Sequence, residues 1–357
     1  MSWYVITSAR RALCILALVA TGFAAFASAQ KYNQTNLVSD VPGWAATLDP
    51  NLVNAWGIAF SSTSPAWVAD NGTGLSTLYT GTGSIIPLVV TIPSPSGVTD
   101  HSAPTGVVFN GNGGFMVSEA GKTGSSVFIF DTEDGTISGW SPAVTTAHAI
   151  RMVDNSGMGA IYKGLAIGTT EHGTFIYATN FNSGWIEMYD SNFQWVKNFK
   201  DWEIPEGYAP FGIQTINGKL YITFALQDED KEDDVAGPAH GFVDVFDLNG
   251  NKIKRLISHG ELNSPWGLAL APANFGKFSG TLLVGNFGNG HINAYDISNG
   301  AARGHMLRPN GRTLEINGLW GLAFGTGGAS GPTNSLLFTA GPAEETHGLF
   351  GTITKLP

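Results

Sequence analysis

The sequence predicts an all-β fold, a six-bladed β-propeller with four-stranded blades, and three observations carry that prediction. A motif of an apolar or aromatic residue, a glycine and then alternating apolar positions recurs six times. Each copy precedes further short apolar runs that end in polar or turn residues, as antiparallel strands do. The chain has 47 Gly and only 13% charged residues among 357, which suits short strands and tight turns better than helices.

The six copies of the motif are spaced like the blades of a propeller. Successive copies stand 48 to 58 residues apart, a period typical of repeat folds. We expect each copy to form the innermost strand of a blade, where six strands crowd around a central channel and glycine saves space. The motif glycines are Gly57, Gly106, Gly164, Gly212, Gly267 and Gly321.

Each motif is followed by a second apolar run that predicts the next strand of the blade. These runs are Trp67 to Asn71, Phe115 to Glu119, Ile176 to Asn180, Leu220 to Gln227, Leu282 to Asn286 and Leu336 to Gly341. A third and a weaker fourth run complete most units, and Val127 to Asp131 is the third run of the second unit. The last unit lacks a fourth run. The run Tyr32 to Val38 is expected to supply it, so that an N-terminal strand closes the ring and removes two exposed edges.

Residues 1–29 have the pattern of a signal peptide, and the propeller is expected to span residues 30–357. Arg10 and Arg11 precede an apolar stretch, and Ala27-Ser28-Ala29 is a cleavage sequence. We therefore expect a secreted or periplasmic protein, cleaved near Ala29. Cys14, the one cysteine, lies inside this segment, and no second apolar run is long enough to span a membrane.

The charge of the chain limits its partners. The formal net charge of −10 repels phosphate backbones, so nucleic acid is not an expected partner. A small molecule, a carbohydrate or an extracellular protein remains compatible with this charge. We expect a monomer without a membrane span.

The propeller topology predicts where a functional site lies. The ends of the second strands and the loops before the inner strands meet at one mouth of the channel, so polar residues there converge. The predicted ligand-binding residues at this mouth are Trp56, Asp70, Asn71, Gln227, Asp228, Trp266 and Trp320. The candidate catalytic residues are His240, Glu345 and His347, because acid–base chemistry needs such side chains.

Carboxylates and amides around a channel are also the ligands that a hard cation prefers. The hypothesis is a site for Ca²⁺ or another divalent cation formed by Glu119, Asn180 and Asn286. The alternative is that such residues end strands as turn formers held by the backbone. The acidic loop from Gln227 to His240 is a solvated loop, a second cation site or a lid, and it lacks the glycine that an EF-hand has at its sixth position. The tryptophans either stack on a ligand or pack between blades.

Four segments resemble an uncharacterised family of secreted bacterial propellers, some of which carry an exosortase sorting tail. The segments are Ala69 to Gly74, Ala209 to Gln214, Ala225 to Gly237 and Thr346 to Gly351. The resemblance implies a secreted six-bladed propeller and no activity. More distantly, the repeat is similar to NHL-type propellers and to gluconolactonase-like and paraoxonase-like propellers, which hold a cation in the channel. Glu119, Asn180 and Asn286 match the residue types of those ligands.

Two functions remain open from the sequence. The first is a secreted propeller that binds a ligand or partner at one channel mouth. The alternative is a metal-dependent hydrolase or lyase, lactonase-like, that acts on a small extracellular substrate. No P-loop, nucleophile elbow or zinc-protease motif is present in the sequence, so the motifs do not decide whether the protein is an enzyme.

Overall fold

A computed structural model describes Met1 and residues 30–357, so the predicted signal peptide lies outside the described residues apart from Met1. The described chain is all-β, with two short 3₁₀ helices at Ser156–Met158 and Gly276–Phe278. None of the helices in this part of the chain has the length and apolar character needed to cross a bilayer.

Two short stretches of strand precede the first repeat. They are β1 (Tyr32–Ser39) and β2 (Thr47–Leu48). Blade one follows and consists of β3 (Ala55–Ala59), β4 (Ala66–Asp70), β5 (Leu75–Tyr79) and β6 (Ile85–Thr91). Its strands pair antiparallel in chain order, as in a four-stranded meander.

Blade two contains a hairpin that the sequence pattern assigned wrongly. Its strands are β7 (Pro104–Phe109), β8 (Met116–Glu119), β9 (Lys122–Ser125), β10 (Phe128–Thr132), β11 (Thr136–Trp140) and β12 (Ile150–Asp154). The second strand of the blade is β10, and β8 and β9 form a separate two-stranded sheet. The run ending at Glu119 alternates like a strand because it is one, but it belongs to this inserted hairpin.

Blades three to five follow the predicted four-strand order. Blade three is β13 (Tyr162–Thr170), β14 (Gly173–Asn180), β15 (Trp185–Tyr189) and β16 (Trp195–Phe199). Blade four is β17 (Tyr208–Ile216), β18 (Lys219–Leu226), β19 (Phe242–Asp247) and β20 (Lys252–Ser258). Blade five is β21 (Pro265–Leu270), β22 (Leu282–Asn286), β23 (Ile292–Tyr295) and β24 (Ala302–His305).

The sixth blade joins the two ends of the described chain, as predicted. Its first three strands, counted from the channel outward, are β25 (Leu319–Phe324), β26 (Leu336–Ala340) and β27 (Leu349–Lys355). The N-terminal strand β1 pairs antiparallel with β27, from Tyr32 opposite Lys355 to Ser39 opposite Leu349. The inner strands β3, β7, β13, β17, β21 and β25 contact one another in a closed cycle, which confirms the six-bladed ring.

The motif glycines allow neighbouring inner strands to approach closely. A Cβ atom on Gly57 would lie 2.6 Å from the carbonyl oxygen of Thr105 in the next blade, and one on Gly321 would lie 2.6 Å from that of Trp56. Real Cβ atoms do not come so near to backbone atoms, so only glycine fits. The recurring glycine is therefore a requirement of ring closure around a narrow channel.

Candidate functional site

Six polar side chains form a hydrogen-bonded belt around the mouth of the channel where the second strands end. This mouth ring consists of Asn54, Asn71, Glu133, Lys163, Asp233 and Glu345. The Asn54 amide donates to Asn71 Oδ1 at 3.0 Å and to Glu345 Oε2 at 2.7 Å. The Asn71 amide donates to Glu133 Oε2 at 2.7 Å, and the Lys163 ammonium bridges Glu133 and Asp233. The belt takes residues from the first, second, third, fourth and sixth blades.

Lys163 is a buried ammonium at the centre of this belt. Its side chain is only 2% exposed, whereas that of Asp233, 3.0 Å away, is 75% exposed. The ammonium also lies over the rings of Trp56 and Phe181, at 5.5 and 5.8 Å. Burial alone would lower the pKa of Lys163, but the charges of Glu133 and Asp233 outweigh it and raise the pKa. Lys163 is therefore a fixed positive charge and not a nucleophilic amine.

Glu345 is held in the ring by a strained turn. Ala343, Glu344 and Glu345 all adopt left-handed backbone conformations, with φ of 56°, 55° and 64°. Each such residue costs roughly 1 kcal/mol or more, and such strain concentrates at functional sites. Burial, together with the negative charges of Glu133 and Asp233, raises the pKa of Glu345 to about 7. This carboxyl group therefore exchanges its proton near neutral pH.

A second, half-buried carboxyl group belongs to the same charge cluster as Lys163. Burial raises the pKa of Asp234 to about 6, although the Lys163 ammonium opposes the rise. Asp234 follows Asp233 on the acidic loop between β18 and β19, which pairs back on itself through the Gln227–Asp234 bridge. One ammonium thus faces four carboxyl groups, those of Glu133, Asp233, Asp234 and Glu345. Burial is the main cause of the raised pKa values of Asp234 and Glu345, and the neighbouring carboxylates add to it.

Six aromatic rings fill the channel beneath the ring of polar groups. This aromatic plug consists of Trp56, Phe181, Phe211, Trp266, Phe287 and Trp320. The Trp56 and Trp320 rings stack at a centroid distance of 3.5 Å, and Phe287 stacks on Trp320 at 4.0 Å. Trp56 and Trp320 are almost fully buried. The plug therefore separates the polar mouth from the lower half of the channel.

The plug and the ring are joined by hydrogen bonds from indole groups. Trp320 Nε1 donates to Asn54 Oδ1 at 3.1 Å, and Trp266 Nε1 donates to the Lys163 carbonyl oxygen at 2.7 Å. Within the described chain, Trp56 Nε1 is buried without an acceptor. The tryptophans thus pack on one another and orient the polar ring, so they do not present open faces to a sugar.

The predicted ligand-binding residues divide between the ring and its supports. Asn71 belongs to the mouth ring, and Trp56, Trp266 and Trp320 belong to the plug. Asp70 is fully buried, and burial raises its pKa well above the ordinary value. The Gln227 amide donates to the Phe181 carbonyl oxygen at 2.6 Å. Asp228 Oδ1 accepts the Glu232 amide hydrogen at 2.9 Å, so both residues shape the acidic loop.

The residues predicted to bind a metal do not form one site. Glu119 lies on the β8–β9 hairpin and pairs with His148 at 3.0 Å. Asn180 Oδ1 accepts two backbone N–H groups and its amide donates to Glu187. Asn286 Oδ1 is the one free acceptor of the three. In the described chain no cluster of three or more His, Cys, Asp or Glu side chains is placed to hold a metal, and at the mouth an ammonium stands among the carboxylates. The three predicted ligands therefore do not assemble into one Ca²⁺ site.

Of the catalytic candidates, Glu345 and His347 lie on the same loop of blade six. His347 Nδ1 lies 2.8 Å from Asp40 Oδ2, and Asp40 Oδ1 accepts the Gly348 N–H at 2.8 Å. This pairing fixes the imidazole and leaves Nε2 free to act on a ligand. His240 is apart from this pair and bonds to the Val235 carbonyl oxygen at 2.9 Å, within the acidic loop.

The sequence pattern did not single out Lys163, Glu133, Asn54 or Asp40. Lys163 had a readable signal, because it immediately precedes a motif glycine. The other five residues in that position are Trp56, Thr105, Phe211, Trp266 and Trp320, so a charge there is exceptional. Glu133 was missed because the sequence pattern took the inserted hairpin for the second strand of blade two, whereas that strand is β10, which ends just before Glu133.

Two curated relatives share most of this architecture in sequence. The chain is 32% identical over 328 residues to "Uncharacterized protein R648" of Acanthamoeba polyphaga mimivirus, covering 89% of this chain and 79% of that protein. It is 33% identical over 328 residues to "Uncharacterized protein L690" of the same virus, covering 89% and 84%. The chain belongs to the family of these mimivirus proteins. These relatives are viral proteins, whereas the sequence motifs predicted a family of bacterial proteins. No protein-family model matches the chain.

Solved structures confirm the fold of the mimivirus family member. A streptogramin B lyase structure has a TM-score of 0.54 at 12% identity, covering 92% of this chain and 98% of that one. A luciferin-regenerating enzyme has a TM-score of 0.52 at 13% identity, covering 85% and 92%. A catalytically inactive virginiamycin B lyase from Staphylococcus aureus, solved with quinupristin, has a TM-score of 0.51 at 14% identity, covering 91% and 99%. At such identities these likenesses show the propeller alone.

Proposed function

We propose that the protein is an exported propeller that binds a small, positively charged ligand at the mouth ring. The observation that carries this proposal is the charge of the site. One buried ammonium, Lys163, stands among four carboxyl groups. Burial raises the pKa of two of them, Asp234 and Glu345, to about 6 and about 7, so a fraction of their protons remains bound at neutral pH. A second cation would replace those protons and pair with the carboxylates that they neutralise.

The surroundings of the ring support a cationic ligand. The segment Asp228 to Asp234 carries six acidic residues and one lysine beside the mouth. Asp233 reaches from this loop to Lys163 while its own side chain remains largely exposed. Such a concentration of negative charge attracts cations and raises their association rate. Because Asp233 is bound to Lys163, the acidic loop lies over one side of the mouth ring.

Isothermal titration calorimetry tests this proposal with methylguanidinium and butylammonium as probes and butanol as the neutral control. We expect both cations to bind at pH 7 with release of protons, measured as a dependence of heat on the ionisation enthalpy of the buffer. Glu345→Gln should abolish most of this release and weaken binding by about tenfold, because a hydrogen-bonded charge is lost. Glu344→Gln, the exposed neighbour, should bind like the wild type. Butanol binding as well as butylammonium, or no binding of either cation, would refute the proposal.

Acid–base catalysis is a second candidate, favoured by the His347–Asp40 pair and the raised pKa of Glu345. In that case His347 Nε2 would remove a proton from a substrate and Glu345 would donate one, as a hydrolase or lyase requires. This candidate mechanism uses side chains alone, because the predicted metal ligands do not assemble. A panel of lactones and esters tests this candidate. Turnover that survives unchanged in both His347→Ala and Glu345→Gln would exclude these roles.

Export rests on the sequence of residues 1–29, with its two arginines, apolar stretch and Ala27-Ser28-Ala29. Expression of the full chain in a bacterium with a general secretion pathway tests it by intact mass. Export predicts a product outside the cytoplasm that begins at Gln30. A full-length product confined to the cytoplasm would contradict it.

A further inference from the structure

A second cavity lies on the side of the propeller, between blades two and three, away from the mouth ring. Its volume is about 420 Å³, within the range of small-molecule sites. The residues that line it are Met152, Val153, Asn155, Met158, Glu187, Tyr189, Phe193, Trp195 and Asn198. Blade two and the connection after it supply one wall, and the outer strands of blade three supply the other.

The walls of this cavity expose apolar groups that folding normally buries. Met158 is 78% exposed, Trp195 is 60% exposed and Met152 is 36% exposed. Asn198 Oδ1 accepts the Trp195 indole hydrogen at 2.6 Å, which orients the ring. Methionine and tryptophan adapt to apolar and aromatic ligands, and the face of an indole attracts cations. The walls therefore suit a ligand with an apolar or aromatic body.

The floor of the cavity carries a buried carboxylate. Glu187 is 8% exposed. Its Oε2 accepts the hydroxyl hydrogens of Tyr162 and Tyr189 at 2.7 and 2.5 Å, and its Oε1 accepts the Asn180 amide at 2.8 Å. The Asn155 amide lies 3.4 Å from Oε2. These four partners satisfy the carboxylate oxygens, but all of them are neutral.

This carboxylate has no positively charged partner in the part of the chain that the structure describes. Among residues 30–357, no Lys, Arg or His side chain forms a salt bridge with Glu187. A buried charge without a counter-charge is costly, and a cation that enters the cavity would offset that cost. The charge of the floor and the character of the walls together define one class of ligand.

We propose that this cavity is a binding site for an arylalkylamine, with the ammonium group toward Glu187 and the aromatic ring between Met158 and Trp195. The site is independent of the mouth ring and of the function proposed for it. Asn180, predicted from the sequence as a metal ligand, acts here as a positioning residue that holds Glu187 through its amide.

Saturation-transfer NMR with phenethylamine, and with 2-phenylethanol as the neutral isostere, tests this proposal. We expect the wild type to bind the amine at least about tenfold more tightly than the alcohol, because a hydrogen bond to a charged group is strong. Glu187→Gln should level the two affinities. Trp195→Ala should weaken amine binding several-fold. Trp202→Ala, which removes an exposed tryptophan on the connection between blades three and four, should not.

The proposal would be overturned by equal binding of the two probes to the wild type, by no saturation transfer to either probe, or by a loss of amine binding in Trp202→Ala but not in Trp195→Ala. If Glu187→Gln does not fold, the wild-type preference and the two tryptophan variants decide. Loss of phenethylamine binding in Glu345→Gln would assign the amine to the mouth and also overturn the side site. A failure of the mouth proposal alone would leave phenethylamine binding unchanged.

Discussion

At the residue scale, the side chain on the second strand that accepts the N–H of a motif glycine differs between blades, and in blade two it is a titratable carboxyl group. In blade six, Gly321 N–H donates to Thr339 Oγ1 at 2.9 Å, and in blade four Gly212 N–H donates to Thr223 Oγ1 at 2.8 Å. Blade two has Asp131 in this place, and its Oδ1 accepts the Gly106 N–H at 2.6 Å. The neutral hydroxyl group of blades four and six is thus replaced in blade two by a buried carboxyl group.

Asp131 should make the stability of the protein fall as the pH rises from about 4 to 7. Burial raises its pKa in the folded protein to about 7, whereas the unfolded chain has a pKa near 3.9. Between these values the unfolded state loses its proton and the folded state keeps it, so the free energy of unfolding decreases with pH by roughly 3–5 kcal/mol. Asp131→Asn keeps the acceptor oxygen and removes this pH dependence of the free energy of unfolding.

Urea unfolding at pH 4 and at pH 8 measures the effect as the difference between the wild type and Asp131→Asn. The other buried carboxyl groups are common to both proteins and cancel in that difference. We expect the variant to lose less stability between the two pH values than the wild type. An equal loss in both proteins would show that Asp131 is not protonated in the folded state near neutral pH.

Individual residues of the site were predicted less well than their location. The positions of Asn71 and Glu345 at one mouth follow from topology, because the ends of the second strands meet at one face. Lys163 did not follow, because a lysine on an inner strand has no expected chemistry until its carboxylate partners are known. Asp233 and Asp40 come from a long loop and from the N-terminal segment, whose paths a repeat pattern does not determine.

At the element scale, the inner strands depend on the absence of side chains at the motif glycines. Gly57→Ala should lower the free energy of unfolding by several kcal/mol, because the new Cβ would lie 2.6 Å from the Thr105 carbonyl oxygen and 3.0 Å from the Val107 nitrogen. Both are backbone atoms of the neighbouring blade and cannot move aside separately.

Gly157→Ala is the matched control for this substitution. A Cβ at Gly157 would meet no atom of the described chain within 4 Å, and its φ is not in the left-handed region. The urea midpoint of Gly57→Ala should fall well below that of the wild type, while that of Gly157→Ala should stay close to it. Equal midpoints for the two variants would mean that the ring tolerates a wider channel.

The hairpin of β8 and β9 shows where strand patterns mislead at this scale. Its alternation is that of a real strand, and Phe115 and Val117 are buried in the core between blades two and three. Local pattern therefore identified a strand correctly but could not assign it to a sheet. The pairing of β7 with β10 is set by contacts that are distant in sequence, beginning with Phe109 opposite Phe128.

At the scale of the whole molecule, closure of the ring depends on β1. Deletion of residues 30–39 should leave β27 with an open edge and expose the blade-six core, to which Tyr32 belongs. We expect this variant to unfold at a much lower urea concentration and to associate, measured by size-exclusion chromatography. Deletion of residues 1–29 alone is the control. A monomeric variant with wild-type stability would show that β1 is dispensable.

The global fold was the most predictable level, because six copies of one constraint reinforce one another. Each motif glycine is weak evidence by itself, but six of them at the spacing of blades leave few alternative folds. The apolar run before the first motif also supplies the fourth strand that the last repeat lacks. The proposed function depends on single side chains that occur once, such as Lys163, and a repeat pattern cannot reveal them.

The aromatic plug has a kinetic consequence. Because Trp56 and Trp320 stack across the channel, the channel is a blind cup and not a pore. A ligand that enters at the mouth ring has to leave by the same opening. Its residence time is then governed by how often the Asp233 contact to Lys163 breaks. A change in the acidic loop that preserves its charge and Asp233 should therefore alter the entry and exit rates together, while the equilibrium affinity stays nearly constant.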